Sequence, residues 1–474
     1  MSCTQDPAAW ARELFGDAEL GDPRRTNRLV DVAERLAAAT GQSVAQACGD
    51  DSAAQEGAYR LLRNPHIEPA AIAEAGFRAT VAKAAGLGTL LALEDSTTLS
   101  YTHQAAEQLG DLGGPKHKTG RGLWVHSVLL LEALHGHTVG LVEQAYWQRA
   151  PQTRGTKGKR KKKRPYEERE SFKWQRAAEH VRARVGAEMM ARIVSVCDRE
   201  ADVYQYLNYK LEQGERFVVR AMVDRALTAV ETFEGAPHLL ARLAQAPSSG
   251  TAQVCVEQRG GRKAREAQVT VRATQVQVRR PADVKVGPAW ITVNAVMARE
   301  EAPPAHVKPL DWVLLTSEPI TSQDEVGLVL SYYRLRWRIE EFHKAWKTGA
   351  GVERCRLQQR DNILRLAVIL AYLGVRQMQL AEWLADQPEA SCEEVLTPEE
   401  WRVLWLAVEK RKPLPRRAPT VRWAYQALGR LVGWSDTKHT GRVGVQTLWK
   451  GWLNLEARME GFHAAAALVA RGKK

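Results

Sequence analysis

The chain has 474 residues, 45% of them hydrophobic, which is enough for several folded domains with substantial cores and too apolar for an intrinsically disordered protein. Its 68 Lys and Arg against 55 Asp and Glu leave a formal charge of +13, which favours a polyanionic partner, nucleic acid before any other. Six scattered cysteines (Cys3, Cys48, Cys197, Cys255, Cys355, Cys392) without a CxxC pair argue against a zinc module or a disulfide framework; with no basic-then-apolar leader and no uncharged apolar run near the roughly 18 to 20 residues that cross a bilayer, a reducing cytoplasm and no membrane partner are expected.

Residues 1 to 68 read as short helices. Trp10, Leu14 and Phe15 recur at helical spacing, and Leu29, Val32, Ala33 and Leu36 follow a basic start, Asp22 to Arg28, that includes Arg24 and Arg25. From Leu90 the texture changes. The apolar run Leu90 to Leu93 stops at Glu94-Asp95, and Leu123 to Leu131 and Thr138 to Glu143 look like two further strands. The cationic run 154 to 164 is either a plain solvated loop or a contact to a nucleic-acid backbone. A helix near 172 to 188 then leads to Ile193 to Cys197, again halted by an acid, Asp198. Residues 251 to 316 alternate with period two (Val254 and Val256, Val269 and Val271, Val276 and Val278), with a hairpin turn expected at Arg259 to Arg262, so an antiparallel block interrupts a mixed fold. Helices are expected over 324 to 347 and 361 to 384, and a Pro-rich basic loop, Lys410 to Arg417, breaks the helical C-terminal region. In the last helix Leu448, Trp452, Leu455, Met459 and Phe462 form a narrow apolar seam, suited to a partner helix or to packing within the chain.

The densest signal runs from Tyr333 to Lys347. On one continuous helix Tyr333, Arg336, Glu340 and Lys347 would share a face, with Ile339, Phe342 and Trp346 opposite. A carboxylate among cations suits phosphoryl transfer, with Glu340 on a divalent metal and Arg336 and Lys347 on phosphates, although a solvated face with intrahelical ion pairs has the same pattern. Asp95 and Asp198 each follow an apolar strand, where open sheets present functional groups, and the three carboxylates together could hold two magnesium ions for in-line displacement at phosphorus. A strand-end Asp is alternatively a turn former or helix cap.

Eight segments carry a more specific likeness: GDPRRTNRL at 21 to 29, AAQEGAYR at 53 to 60, EDSTTLSY at 94 to 101, WVHSVLLLEA at 124 to 133, VCDREAD at 196 to 202, ERFVVR at 215 to 220, LLTSEP at 314 to 319 and YRLRWRIEEFHKAWKTGAG at 333 to 351. Through them the chain resembles the DDE transposases of the IS-four group, above all their Tn-five-like members, and the last segment is that group's Tyr, Arg, Glu, Lys signature. The resemblance implies an α/β fold with an RNase H-like mixed-sheet core carrying an antiparallel β insertion, flanked by helical N- and C-terminal domains. The implied divisions are a DNA-binding domain over 1 to 68, a catalytic domain over 69 to 383 with the insertion at about 222 to 318, and a dimerisation domain over 384 to 474.

It further implies that Asp95, Asp198 and Glu340 bind Mg2+, with Mn2+ able to substitute and two ions per site. Tyr333, Arg336 and Lys347 would hold phosphates of the transposon end, Trp312 would stack on a flipped base and Trp337 would help expel it. Arg220, His343, Lys344, Arg356 and Asn362 fall at further DNA-contacting positions, and Arg24 and Arg25 are candidates in the end-binding domain. For each Trp a core role is the alternative. Expected partners are double-stranded transposon-end DNA, target DNA and a second copy of the chain; the expected activity is cut-and-paste transposition through a hairpin intermediate. Around Ala38 to Gln42 the chain is small and neutral where Tn-five-like members carry Lys and Tyr, so a different end sequence is expected. A catalytically inactive DNA-binding regulator is the main alternative, and a recombinase using Tyr333 as nucleophile is a further one.

Overall fold

The structure, a computed structural model, describes residues 6–113, 120–149, 164–228, 237–256, 265–437 and 443–471. The expected turn at 259 to 262 and all of the basic run except Arg164 lie outside them. The chain divides into two compact units, one made of 1–79, 99–109 and 341–474, the other of 80–98 and 110–340.

The second unit is built on a sheet whose ten described strands come from most of its length. They are β1 (Leu90–Tyr101), β2 (Gly110–Asp111), β3 (Arg121–Glu132), β4 (Thr138–Trp147), β5 (Ile193–Cys197), β6 (Arg216–Arg220), β7 (Ser248–Val256), β8 (Arg265–Arg279), β9 (Trp290–Arg299) and β10 (Asp311–Thr316). Their order is β2-β3-β1-β5-β6-β10-β9-β8-β7, with β4 also on β3. β1, β5 and β6 are parallel, and the pairs from β6 to β7 are antiparallel. This is the mixed sheet of an RNase H-like core, extended by an antiparallel block. The strands read as the sequence suggested for a physical reason: β5 is buried on both faces and apolar apart from Ser195, whose hydroxyl accepts from Lys210, whereas Val254, Val256, Val269, Val271, Val276 and Val278 are buried as alternate residues of half-covered strands. Trp174, Tyr206, Phe217 and Leu315 anchor one apolar cluster, and Leu90, Val128, Leu130 and Ile193 another.

The other unit is helical. Asp6 and Asp22 accept backbone N–H groups at the starts of α1 (Pro7–Phe15) and α2 (Pro23–Ala38), and in each a proline, which has no N–H to lose, opens the first turn. α3 (Val44–Cys48), α4 (Ser52–Arg63) and α5 (Pro69–Ala84) follow, and the stripe Leu29, Val32, Ala33, Leu36 is buried. The sheet unit carries α6 (Lys173–Met190), α7 (Tyr204–Glu212), α8 (Leu239–Gln245) and α9 (Gln323–Leu335); α10 (Arg338–Lys344) begins in it and ends in the helical unit, whose further helices are α11 (Arg360–Asp386), α12 (Pro398–Val408), α13 (Val421–Leu431) and α14 (Val445–Arg471). α11 is long and apolar enough to cross a membrane, but 94% of its most apolar window is buried inside the protein, as in a core helix.

Three expectations change. β1 does not stop at Asp95: its pairing with β5 ends at Glu94, yet the strand continues to Tyr101, so Asp95 sits within a strand and only Asp198 just beyond one. The helix expected over 324 to 347 is instead α9 and α10 joined by a turn at Arg336 and Trp337, then a π-turn over Ala345–Gly349. The seam of α14 also divides. Leu448 and Leu455 are buried in a cluster with Trp401 and Leu428, Trp452 and Met459 pack against it, and Phe462 is 46% exposed.

Candidate active site

The parallel register that sets Glu94 opposite Cys197 brings Asp95 and Asp198, the next residues of β1 and of the chain after β5, to the same edge of the parallel core. Asp95 accepts the N–H of Ser96 (2.8 Å), and Asp198 caps the 3-10 turn Arg199–Ala201 by accepting the N–H of Glu200 (2.8 Å). Both backbone bonds fix the carboxylates without neutralising them.

At the joint between α9 and α10 the backbone closes three-residue rings, Arg336 N–H to Tyr333 C=O (3.1 Å) and Glu340 N–H to Trp337 C=O (2.9 Å). The guanidinium of Arg336 donates to Glu340 Oε1 at 2.5 Å, and both side chains are mostly shielded from solvent. Burial pushes the Asp95 carboxyl up to about 7; Asp198 and Glu340 push the same way, while Arg336 and the Ser96 N–H oppose them. Burial also weakens the charge of Arg336, but Tyr333, Glu340 and Asp95 around it hold its proton more tightly than usual. Asp95, Asp198, Arg336 and Glu340 therefore form one electrostatic group within the sheet unit, although 103 and 142 residues separate the three acids. The oxygen-only donor set suits a hard divalent cation, which would offset both the burial that raises Asp95 to about 7 and, second to it, the repulsion from Asp198 and Glu340.

The other candidates scatter in character. Tyr333, in the last turns of α9, is 5% exposed and meets the edge of Trp312, half-buried on β10, at 5.0 Å. That burial removes it from the role of a nucleophile. Trp337 is half-buried at the joint with the Arg338 guanidinium 5.8 Å from its ring, and Arg220 ends β6 donating to the Asp311 carbonyl (2.8 Å). In the helical unit Lys344 and Arg356 are exposed and Lys347 is half-buried on the π-turn, whereas His343 and Asn362 are 6% exposed. Asn362 accepts from Arg365, which also holds the carbonyls of Leu62 and Ile67. Arg24 is exposed and paired with Asp22 (3.0 Å), and Arg25 donates to the Leu20 carbonyl (3.0 Å). The one-helix face expected for Tyr333, Arg336, Glu340 and Lys347 is thus distributed over α9, the joint, α10 and the π-turn.

Beneath the acids lies a pair that the sequence reading did not single out. Glu94 and His126 are buried 3.5 Å apart, His126 Nδ1 is 3.1 Å from Ser96 Oγ, and Tyr206 donates to Glu94. These contacts brace both residues flanking Asp95. The one local signal was an acid ending an apolar run; its partners are 32 and 112 residues away.

Sequence models of known families match the chain in three stretches: "Transposase DNA-binding" over residues 7–67, "Transposase DDE domain" over 129–373 and "Transposase Tn5 dimerisation domain" over 369–472. The second spans more than half of the chain and includes Asp198 and Glu340, while Asp95 precedes it.

Proposed function

Since this chain belongs to the DDE transposase family, and is accordingly a divalent-metal-dependent DNA transposase with DNA-binding and dimerisation regions, we propose that it excises its element by cut-and-paste chemistry at Asp95, Asp198 and Glu340. The observation that carries the reading is the convergence of these acids with Arg336 on the edge of the parallel strands, with Asp95 pushed up to about 7. Two magnesium ions held by the three carboxylates, or manganese in their place, would supply Lewis acidity at the scissile phosphate.

The chain's own groups position the reactants. Arg336 orients the Glu340 carboxylate, and Lys347 would engage end phosphates, joined by the buried Tyr333 only after local rearrangement. Water would attack first; the freed 3′ hydroxyl would then attack the opposite strand to form a hairpin, water would reopen it, and the same hydroxyl would attack target DNA. Each step is an in-line exchange at a phosphodiester, so one site serves all four. Trp312 offers an indole for a flipped base during hairpin formation, and Trp337 sits at the joint beside Glu340 to displace it. Arg220, His343, Lys344, Arg356 and Asn362 would extend the DNA contact, the buried His343 and Asn362 only after local rearrangement. Residues 1 to 68, with Arg24 and Arg25 at the start of α2, would grip the end, 69 to 383 would cut, and 384 to 474 would dimerise.

A labelled duplex carrying the terminal repeats, incubated with and without magnesium and resolved on a denaturing gel, tests this. Metal-dependent nicks and hairpins that vanish in Glu340→Gln are expected; salt-sensitive binding without any cleavage would replace the reading with that of an inactive regulator.

A further inference from the structure

β3 and β4 meet in a tight hairpin whose sequence is Glu132-Ala133-Leu134-His135-Gly136-His137. Its backbone is closed twice, Glu132 N–H to the His137 carbonyl (2.9 Å) and Gly136 N–H to the Glu132 carbonyl (3.0 Å), and Gly136 takes a φ of +74° that side chains disfavour. The Glu132 carboxylate accepts the N–H groups of Leu134 (2.6 Å) and His135 (2.8 Å), so it is ionised and held in place. The two imidazoles stack with centroids 5.3 Å apart. One ligand atom each from Glu132, His135 and His137 lies within 4.8 Å of the other two.

We propose that this hairpin is a transition-metal site, with Zn2+ its simplest occupant, formed by Glu132, His135 and His137 and separate from the acidic centre. Two imidazoles and a carboxylate are a donor set for zinc, nickel or copper rather than magnesium. Metal–ligand bonds of about 2.0–2.1 Å in a tetrahedron place neighbouring ligand atoms about 3.3 Å apart. His135 Nδ1 and Glu132 Oε2 already stand at 3.2 Å. The His137 ligand atom lies within 4.8 Å of both, and the His135 ring is 62% accessible, so closing the set needs only small side-chain rotations. Three protein ligands leave a fourth position for water. A carboxylate that only stapled the turn would need neither histidine.

The site touches the joint that carries Glu340. Arg338 donates to the Gly136 carbonyl (3.3 Å) and to Thr138 Oγ1 (3.4 Å), and a Cβ at Gly136 would meet Leu335 at 3.2 Å. An ion that stiffens the hairpin stiffens the support of α10.

The test uses the full chain, stripped with chelator and titrated calorimetrically with Zn2+ in excess Mg2+, which keeps the oxygen-only centre filled. Wild type should take up one Zn2+ that His135→Ala and His137→Ala each bind at least tenfold more weakly, while Asp198→Asn binds it unchanged. Amide exchange over 132 to 138 should slow on Zn2+ addition. His135 is exposed, so its variant keeps the test decisive if replacing His137 disturbs the turn. Zn2+ uptake equal in wild type and His135→Ala, or none in wild type, would overturn the site.

Discussion

Asp198 and Asp202 lie four residues apart in one connection, and the structure treats them in opposite ways. Asp202 accepts two hydrogen bonds from Arg225 and the N–H of Met222, and this buried pair is balanced charge for charge. Asp198 accepts one backbone N–H and faces Asp95, whose carboxyl is pushed up to about 7 even with Arg336 nearby. A structural carboxylate is saturated by its own fold. Asp198 meets a second carboxylate instead, the arrangement expected of the proposed metal ligands.

The largest effects should come from the acidic group. Asp95→Asn, Asp198→Asn and Glu340→Gln should each lower metal-dependent end cleavage by a thousandfold or more, about 4 kcal/mol of barrier. For Asp95→Asn and Asp198→Asn, which remove a buried or like-charged carboxylate, the melting temperature without metal should hold or rise, whereas Glu340→Gln also loses the ion pair with Arg336 and should lower it modestly. A fall in melting temperature that matched the lost activity would place these acids with Asp202. Arg225→Ala should do the reverse, removing about 3 kcal/mol of stability by stranding Asp202, read by urea unfolding, with Mg2+ affinity of the folded fraction unchanged.

Trp312→Ala separates recognition from chemistry. Loss of one stacking surface, about 1–3 kcal/mol, should slow hairpin formation about tenfold to a hundredfold and leave the first nick intact. Equal slowing of both steps would assign Trp312 to packing against Tyr333.

The smallest effect is one of pH. Asp95 is an acid whose folded value lies above its unfolded one, so the folded chain binds the extra proton between about pH 4 and 7. Metal-free stability should therefore decline as pH rises through that window and level off above 7. Apparent Mg2+ affinity should weaken as pH falls below 7, by at most about tenfold per unit for one proton. Asp95→Asn should flatten the stability slope, and a slope unchanged in that variant would show that other groups set it.

Much of this was readable in order along the chain. An apolar run halted by an acid located β5 and Asp198 to the residue, because a strand buried on both faces is mostly apolar, with Ser195 admitted only because Lys210 bonds its hydroxyl. Alternating valines located the antiparallel block, because half-covered strands alternate. The same rule ended β1 too early: its polar second half, Asp95 to Thr98, is half-buried and still strand, so the side chains there no longer report the backbone. Periodicity also drew one helix through Tyr333 to Lys347. It is blind to a joint whose two sides keep similar spacing, and to the π-turn where Trp346 lies buried against the backbone of Gly374 and donates to the Ala367 carbonyl.

The sequence by itself determined the residue types, the apolar patterns that order the strands, and a signature specific enough to imply the family. Only the tertiary structure decided which charges meet. It placed Asp95, Asp198 and Glu340 in one electrostatic group, sent Asp202 to Arg225 and buried Tyr333. The reason is physical: local pattern follows from nearest neighbours, whereas the field at a carboxylate is a sum over groups that the fold alone brings within a few ångströms.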